Sequence, residues 1–386
     1  MSNGHGSVAD AGSSTEESAS ATPSKDERLP RSITSLIFIR DRGIFVLWIV
    51  LLLFFAVIAN PYFATISNGL QILNAGAITA IFAAAIAVGV FSGSLDLSVP
   101  GVAAFSGMVS AWMITEAGLP VWLALAVGLL IGLIVGYINA RVSLMGLNPL
   151  VVTIGTLTVL TGLAAVIGGG LTIPVLGSLD FMGTSTYFAI RSTWDVAVEP
   201  WFLFPDFSFQ FGGFDGIAGP VFIMFGLFIL MTIFFTKTRG GIRLMAVGGN
   251  PEAVRRVGLS SDRYRTMGFM LSGLLAALGG LVTVAYTGQG NPSASPGIIF
   301  DGLTAVALAG VSLAGGRGSL PKVLIGALIL ATIFDGLTIA GADPYWGVVA
   351  TGALLLFALV GDLVLTRTVS RRLVTVGNIS VHGKKA

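Results

Sequence analysis

The chain contains no cysteine. Disulfides, thiolate metal sites and cysteine nucleophiles are therefore excluded. Histidine occurs twice, as His5 and His382, both in polar terminal stretches. That excludes a histidine-based metal site or triad within the apolar body. Charge is scarce as well: Asp, Glu, Lys and Arg make up 10% of the 386 residues, against about 25% in soluble domains. A water-soluble surface cannot be built from so few charges, so lipid must cover much of the protein. The formal net charge is only +2, which gives no basis for nucleic-acid binding. The phosphate-binding pattern G-x-x-x-x-G-K-[ST] is also missing, so no nucleotide site is expected in this chain.

What the chain has instead is apolar and small residues. Hydrophobic residues make up 54%, with 52 glycines, and the mean hydropathy is +0.90. Small residues let membrane helices approach backbone to backbone. A helix needs about 20 residues to cross a bilayer. Apolar segments near that length fall at 44–59, 72–91, 101–117, 120–140, 149–168, 218–236, 266–287, 300–314, 322–341 and 345–365. The pattern predicts an all-α integral membrane protein of about ten transmembrane helices. Residues 1–35 are rich in Ser, Ala, Gly and acids and read as a disordered cytoplasmic tail. No apolar run follows Met1 directly, so this stretch does not read as a signal peptide. Arg40 and Arg42 before the first span give a signal-anchor pattern.

Charge bias orients the spans. With the N-terminus inside, the inner set holds Arg40, Arg42, Arg141, Arg317, Lys322, the tail 367–386 and the loop 237–265. That loop carries Lys237, Arg239, Arg243, Arg255, Arg256, Arg263 and Arg265, whereas the outer set has little beyond Arg191. The positive-inside rule supports ten spans with both termini cytoplasmic. The outer connection 169–217 is rich in Phe and Trp. It reads either as an aromatic belt at the lipid interface or as a docking surface for an external partner.

The inner loop reads as a short helix standing alone in the cytoplasm. Asn250 suits the N-cap, Pro251 the first helical position, Glu252 the positive dipole end and Gly258 the residue after the helix. Ala253, Val254 and Val257 give it a partly apolar face that needs something to pack against.

The stretch AVGGNPEAVRRVGL at 246–259 resembles the cytoplasmic loop of ABC-importer permeases of the ribose/xylose type. SGSLDLSVPG (92–101), FDGLTAVALAGVSLAGGRGSL (300–320) and WGVVATGALLLFALVGD (346–362) resemble the same family, in the right order and spacing. The resemblance spans about 40–366. It implies the inner-membrane, multi-pass permease subunit of a binding-protein-dependent monosaccharide or polyol importer, working by alternating access. It further implies a coupling helix between spans six and seven that docks on an ABC ATPase subunit, with Gly248, Gly249, Asn250, Glu252, Ala253 and Gly258 at the matching positions. ATP and Mg would reside on that ATPase, leaving no cofactor or metal in this chain. A second permease copy and a periplasmic or lipid-anchored sugar-binding protein are the other implied partners. The chain departs from the family pattern at Pro100 (commonly Gly), Ile299 (commonly Glu) and Asp335 (commonly Asn). The last two bear on the substrate, not on the class.

Intramembrane carboxylates are costly and are functional candidates. Asp96, Asp301 and Asp335 qualify. Asp96 lies between Ser94 and Ser98, where it either caps a broken helix or borders the pathway. Residues 88–100 and 309–321 share a gapless pattern in which Gly89, Val90, Ser98 and Pro100 match Gly310, Val311, Ser319 and Pro321. Both are expected as helix breaks on the cytoplasmic side, with Asp96 paired to Arg317. Asp335 either bonds to a neighbouring helix or faces a cavity, where it would accept hydrogen bonds from sugar hydroxyls. Asn74, Asn139, Asn148, Thr153, Thr156 and Ser272 complete the pathway candidates. The rival reading is an ion-coupled secondary carrier, which usually shows carboxylate relays. An intramembrane enzyme is a third, for which Cys and intramembrane His are missing.

Overall fold

The computed structural model describes residues 31–175, 219–293 and 297–382. The helices in chain order are α1 (Arg31–Ile58), α2 (Ile66–Phe91), α3 (Val99–Thr115), α4 (Val121–Leu144), α5 (Pro149–Gly168), α6 (Gly219–Lys237), α7 (Arg239–Gly249), α8 (Pro251–Arg256), α9 (Ser261–Thr287), α10 (Gly297–Leu308), α11 (Leu320–Ile339) and α12 (Tyr345–His382). Two short strands, β1 (Ile173–Pro174) and β2 (Gln289–Gly290), pair antiparallel with Ile173 opposite Gly290. They tie the ends of α5 and α9 together. The N-terminal stretch 1–30 and most of the aromatic connection 169–217 lie outside the described residues.

Among the described residues, six helices are long and apolar enough to cross a membrane: α2, α4, α5, α6, α9 and α11. The apolar stretches Arg42–Ile58 of α1, α3, α10 and Tyr345–Gly361 of α12 are shorter. Large apolar side chains stand exposed along the periphery, among them Leu53, Val57, Ile229, Leu356 and Phe357. A bilayer rather than water suits that surface.

α2 and α9 form the centre: 72% of the apolar stretch of α2 is buried, against 17% for α5. Small side chains explain the position of α2. Ala77, Ala80, Ala83, Ala84, Ala85 and Ala87 are all buried, so α9, α11, α10 and α6 can each pack against one slim rod. The seam of α4 with α9 is closer still. A Cβ on Gly132 would strike the Gly273 carbonyl, and one on Gly136 would strike the Phe269 carbonyl. Between helices in lipid such contact matters, because little hydrophobic drive remains to hold them together.

Three boundaries differ from the sequence expectation. α1 begins at Arg31, inside the stretch read as tail, because no Pro or Gly interrupts 31–42. α12 has 38 residues, a length of about 57 Å, so residues 367–382 continue a helix well past a core of ~30 Å. The expected span 300–314 is the largest change. α10 has 12 residues, about 18 Å, and ends before Gly310 at φ +66°. Residues 309–319 then run as a loop to Pro321, which opens α11.

Candidate functional site

The stretch expected as one cytoplasmic helix folds as two, α7 and α8, hinged at Asn250. Asn250 is extended at φ −158°, and its side chain accepts from the Ala253 N–H at 3.0 Å. Pro251 takes the first helical position, and Gly258 adopts φ +80° past the helix end. Val254 is buried, while Glu252, Ala253, Arg255, Arg256 and Val257 are exposed. Val257 shows three quarters of its surface. α8 therefore presents a mixed apolar and charged face outward.

Gly248 and Gly249, equivalent by sequence, occupy different places. Gly248 is buried against the backbone of Phe91 and Gly93, at the end of α2. Gly249 is exposed. The loop 309–319 completes this joint. A Cβ on Gly315 would lie 2.7 Å from the Gly248 carbonyl and 2.8 Å from Gly93 Cα, and one on Gly316 would strike Gly249. Gly93, Gly315 and Gly316 all adopt positive φ, which glycine alone reaches at no steric cost. The segments 88–100 and 309–321 are thus both helix breaks, and they meet at the carboxyl end of α7. Sequence reading missed this three-way joint. Its only signal is a pair of Gly-Gly doublets, 248–249 and 315–316.

Behind the joint lies a buried polar chain. Asp96 is 1% exposed. It accepts from the Ser98 N–H (3.0 Å) and Ser98 Oγ (2.6 Å) on Oδ1, and from Ser272 Oγ of α9 (2.9 Å) on Oδ2. The Asn139 amide of α4 donates to Ser98 Oγ at 2.9 Å, and Thr156 Oγ1 of α5 donates to Asn139 Oδ1 at 2.6 Å. Three donors satisfy the carboxylate locally. The expected Asp96–Arg317 pair does not form, and Arg317 is exposed. Arg265 of α9 instead reaches this loop, donating to Ser94 Oγ at 3.1 Å.

Thr156 and Asn139 also line a groove of about 590 Å³ between α4 and α5. Asn148 lies on its rim, where its side chain caps α5 by accepting from the Leu150 N–H. Thr153 is buried and donates to the Leu150 carbonyl. Of the pathway candidates, the structure brings Asp96, Thr156 and Asn148 into one neighbourhood, with Asn139 and Ser272. Asn74 on α2, Asp301 and Asp335 stand elsewhere. Asp301 of α10 accepts from Thr351 Oγ1 of α12 at 3.2 Å. Asp335 of α11 accepts from the Asn68 amide of α2 at 2.8 Å. It bonds to a neighbouring helix, one of the two roles left open.

Asp335 is half-buried and its donor Asn68 is buried, and a polar group that loses its partner away from water costs stability. Asn68→Leu is therefore expected to lower the thermal stability of the detergent-purified protein by about 1–3 kcal/mol. Asp335→Asn keeps an acceptor for Asn68 and removes the charge, and should be near neutral. Equal destabilisation by both changes, read from unfolding midpoints, would show that the carboxylate charge itself is required.

An apolar helical bundle, with six described helices long and apolar enough to cross a bilayer and apolar side chains on its periphery, is that of a multi-pass membrane protein. Residues 68–359 match the family described as branched-chain amino acid transport system / permease component, and the chain belongs to that family. It is 32% identical over 321 residues to the ribose import permease protein RbsC of Bacillus subtilis, covering 83% of this chain and 90% of that one. It is 31% identical over 319 residues to the ribose import permease protein RbsC of Escherichia coli, covering 81% and 92%. With the D-allose transport system permease protein AlsC of Escherichia coli it shares 28% over 331 residues, covering 84% and 92%. No solved structure matches the chain. The chain is a transport-system component of the inner membrane rather than an enzyme.

Proposed function

We propose that this chain is the permease subunit of an ABC importer that moves a monosaccharide, pentose or hexose, or a polyol into the cytoplasm by alternating access. The observation that carries this reading is the likeness to ribose and D-allose permeases over more than four fifths of both chains. In this reading the polypeptide crosses the bilayer ten times with both termini cytoplasmic. α10 with the loop 309–319 serves as the shortened eighth crossing. α8 is the coupling helix, offering Glu252, Ala253 and Val257 to a separate ATPase that holds ATP and Mg. Gly248 is buried in the joint, so its part in coupling is to pass movement inward rather than to touch that partner. Two permease copies and an external binding protein complete the assembly. The carrier alternative is not favoured. Asp96, Asp301 and Asp335 bond to different donors on different helices and form no relay.

Proteoliposomes holding the chain with its ATPase and binding protein test this directly, with labelled pentoses, hexoses and polyols. Uptake is expected to require ATP, and to fall severalfold when Glu252→Arg and Val257→Asp alter the outer face of α8. Uptake that proceeds without the ATPase and follows an imposed proton or sodium gradient would transfer the protein to the carrier class.

A further inference from the structure

We infer that Ser98, Asn139 and Thr156 are positioning residues that transmit movement of the α7–α8 segment to the groove wall on α5. The inference rests on the permease reading and deepens it. The loop 92–98 is where the two halves of this route join. On one side Gly93 lies against Gly248 of α7, at the glycine joint. On the other, Asp96 and Ser98 open the hydrogen-bonded chain to Asn139 and Thr156. The loop is held firmly enough to pass a displacement on. Ser92, Ser94, Asp96 and Ser98 are all buried, and α9 pins the loop through Ser272 and Arg265. A Cβ on Gly268 of α9 would strike Ser92, so loop and helix already touch.

The last link is built to detach. Thr156 Oγ1 lies 2.6 Å from Asn139 Oδ1 and 3.0 Å from the Val152 carbonyl of its own helix. If α5 moves away from α4, the hydroxyl keeps an acceptor. Asn139 is buried but borders the groove, so parting of α5 from α4 would uncover its Oδ1 to whatever fills the groove. The Ser98–Asp96 end has no such alternative. A shift of the loop should therefore appear as making or breaking the Thr156–Asn139 bond, which opens or closes the groove. Two discrete arrangements of one contact are what coupling between distant sites requires.

The absence of native cysteine makes the test clean. Val159 lines the groove and is 60% exposed. In the full complex, Val159→Cys would be labelled with a water-soluble maleimide, with and without trapped ATP. A severalfold change in labelling rate between the two states is expected. Adding Thr156→Val, which removes only the hydroxyl, or Ser98→Ala should abolish most of that change. Thr156→Ser should restore it, which a merely structural role for the residue would not predict. The inference is overturned if the nucleotide-dependent change persists in Thr156→Val, or if the parent shows none while its uptake is ATP-driven. Uptake by the parent complex without ATP would instead defeat the permease reading itself.

Discussion

Gly273→Val and Gly132→Val are each expected to leave almost no folded protein. A Cβ on Gly273 would strike the Gly132 carbonyl, and the reverse substitution strikes the Gly273 carbonyl. Both obstacles are backbone, so no rotamer change relieves them. Overpacking a formed core costs about 1–3 kcal/mol and sometimes more, and here the only relief is to separate α4 from α9. That separation would also strain the chain Ser272–Asp96–Ser98–Asn139, which bridges α9 and α4 through the loop 92–98. The measurement is the yield of monodisperse protein by size-exclusion chromatography in mild detergent. Gly155→Ala and Gly162→Ala on α5 serve as controls. No atom lies within 4 Å of the added methyl at either position, so both should elute as the parent does. A normal yield from Gly273→Val would mean that the α4–α9 seam is looser than described.

The second large effect concerns coupling rather than folding. In a helix, alanine is favoured over glycine by about 1 kcal/mol. Gly248 and Gly249 both lie in α7, so propensity alone predicts the same small gain at each. The structure predicts opposite outcomes. At Gly249 the new methyl meets Gly316 Cα at an ordinary 3.7 Å, and Gly249→Ala should transport at the parental rate. At Gly248 it strikes the Phe91 carbonyl and lies 2.9 Å from Gly93 N. Gly248→Ala must push α7 off the end of α2. ATP-driven uptake should then fall by more than about tenfold, equivalent to ~1.4 kcal/mol, while the protein still elutes as a folded species. Equal activity of the two variants would remove the glycine joint from any account of coupling.

Much of this was legible in the chain before any coordinates. The α8 cap is the clearest case, since Asn250, Pro251 and Gly258 act through local backbone geometry that their residue types specify. The helices α2, α4, α5 and α6 were legible for a related reason: a run of some twenty apolar residues has few fates other than crossing a membrane. The expected span 300–314 was not. Residues 300–314 are apolar enough throughout, and what ends α10 is the Gly310 turn followed by a loop that finds its partners in α7 and α2. Both partners are remote in sequence.

The same division holds for the site. Asp96 was identifiable as a costly buried charge, but the expected capping role of Ser94 and Ser98 is not the one they take: Ser98 precedes α3 without a side-chain cap and donates to Asp96, and Ser94 accepts from Arg265. That the partner of Asp96 on α9 is Ser272, and not the expected Arg317, lay beyond sequence, because matching positions in two similar segments say nothing about which side chains converge. Composition by itself determined the solvent, the helical class and the lack of cysteine and of histidine within the apolar body. These follow from residue type and local periodicity. Tertiary structure alone decided that Gly248 is buried while Gly249 is exposed, that two helix breaks meet at α7, and that Thr156 connects to Asp96 through Asn139 and Ser98. Those depend on contacts between segments dozens to hundreds of residues apart, whose geometry is fixed only when the helices pack.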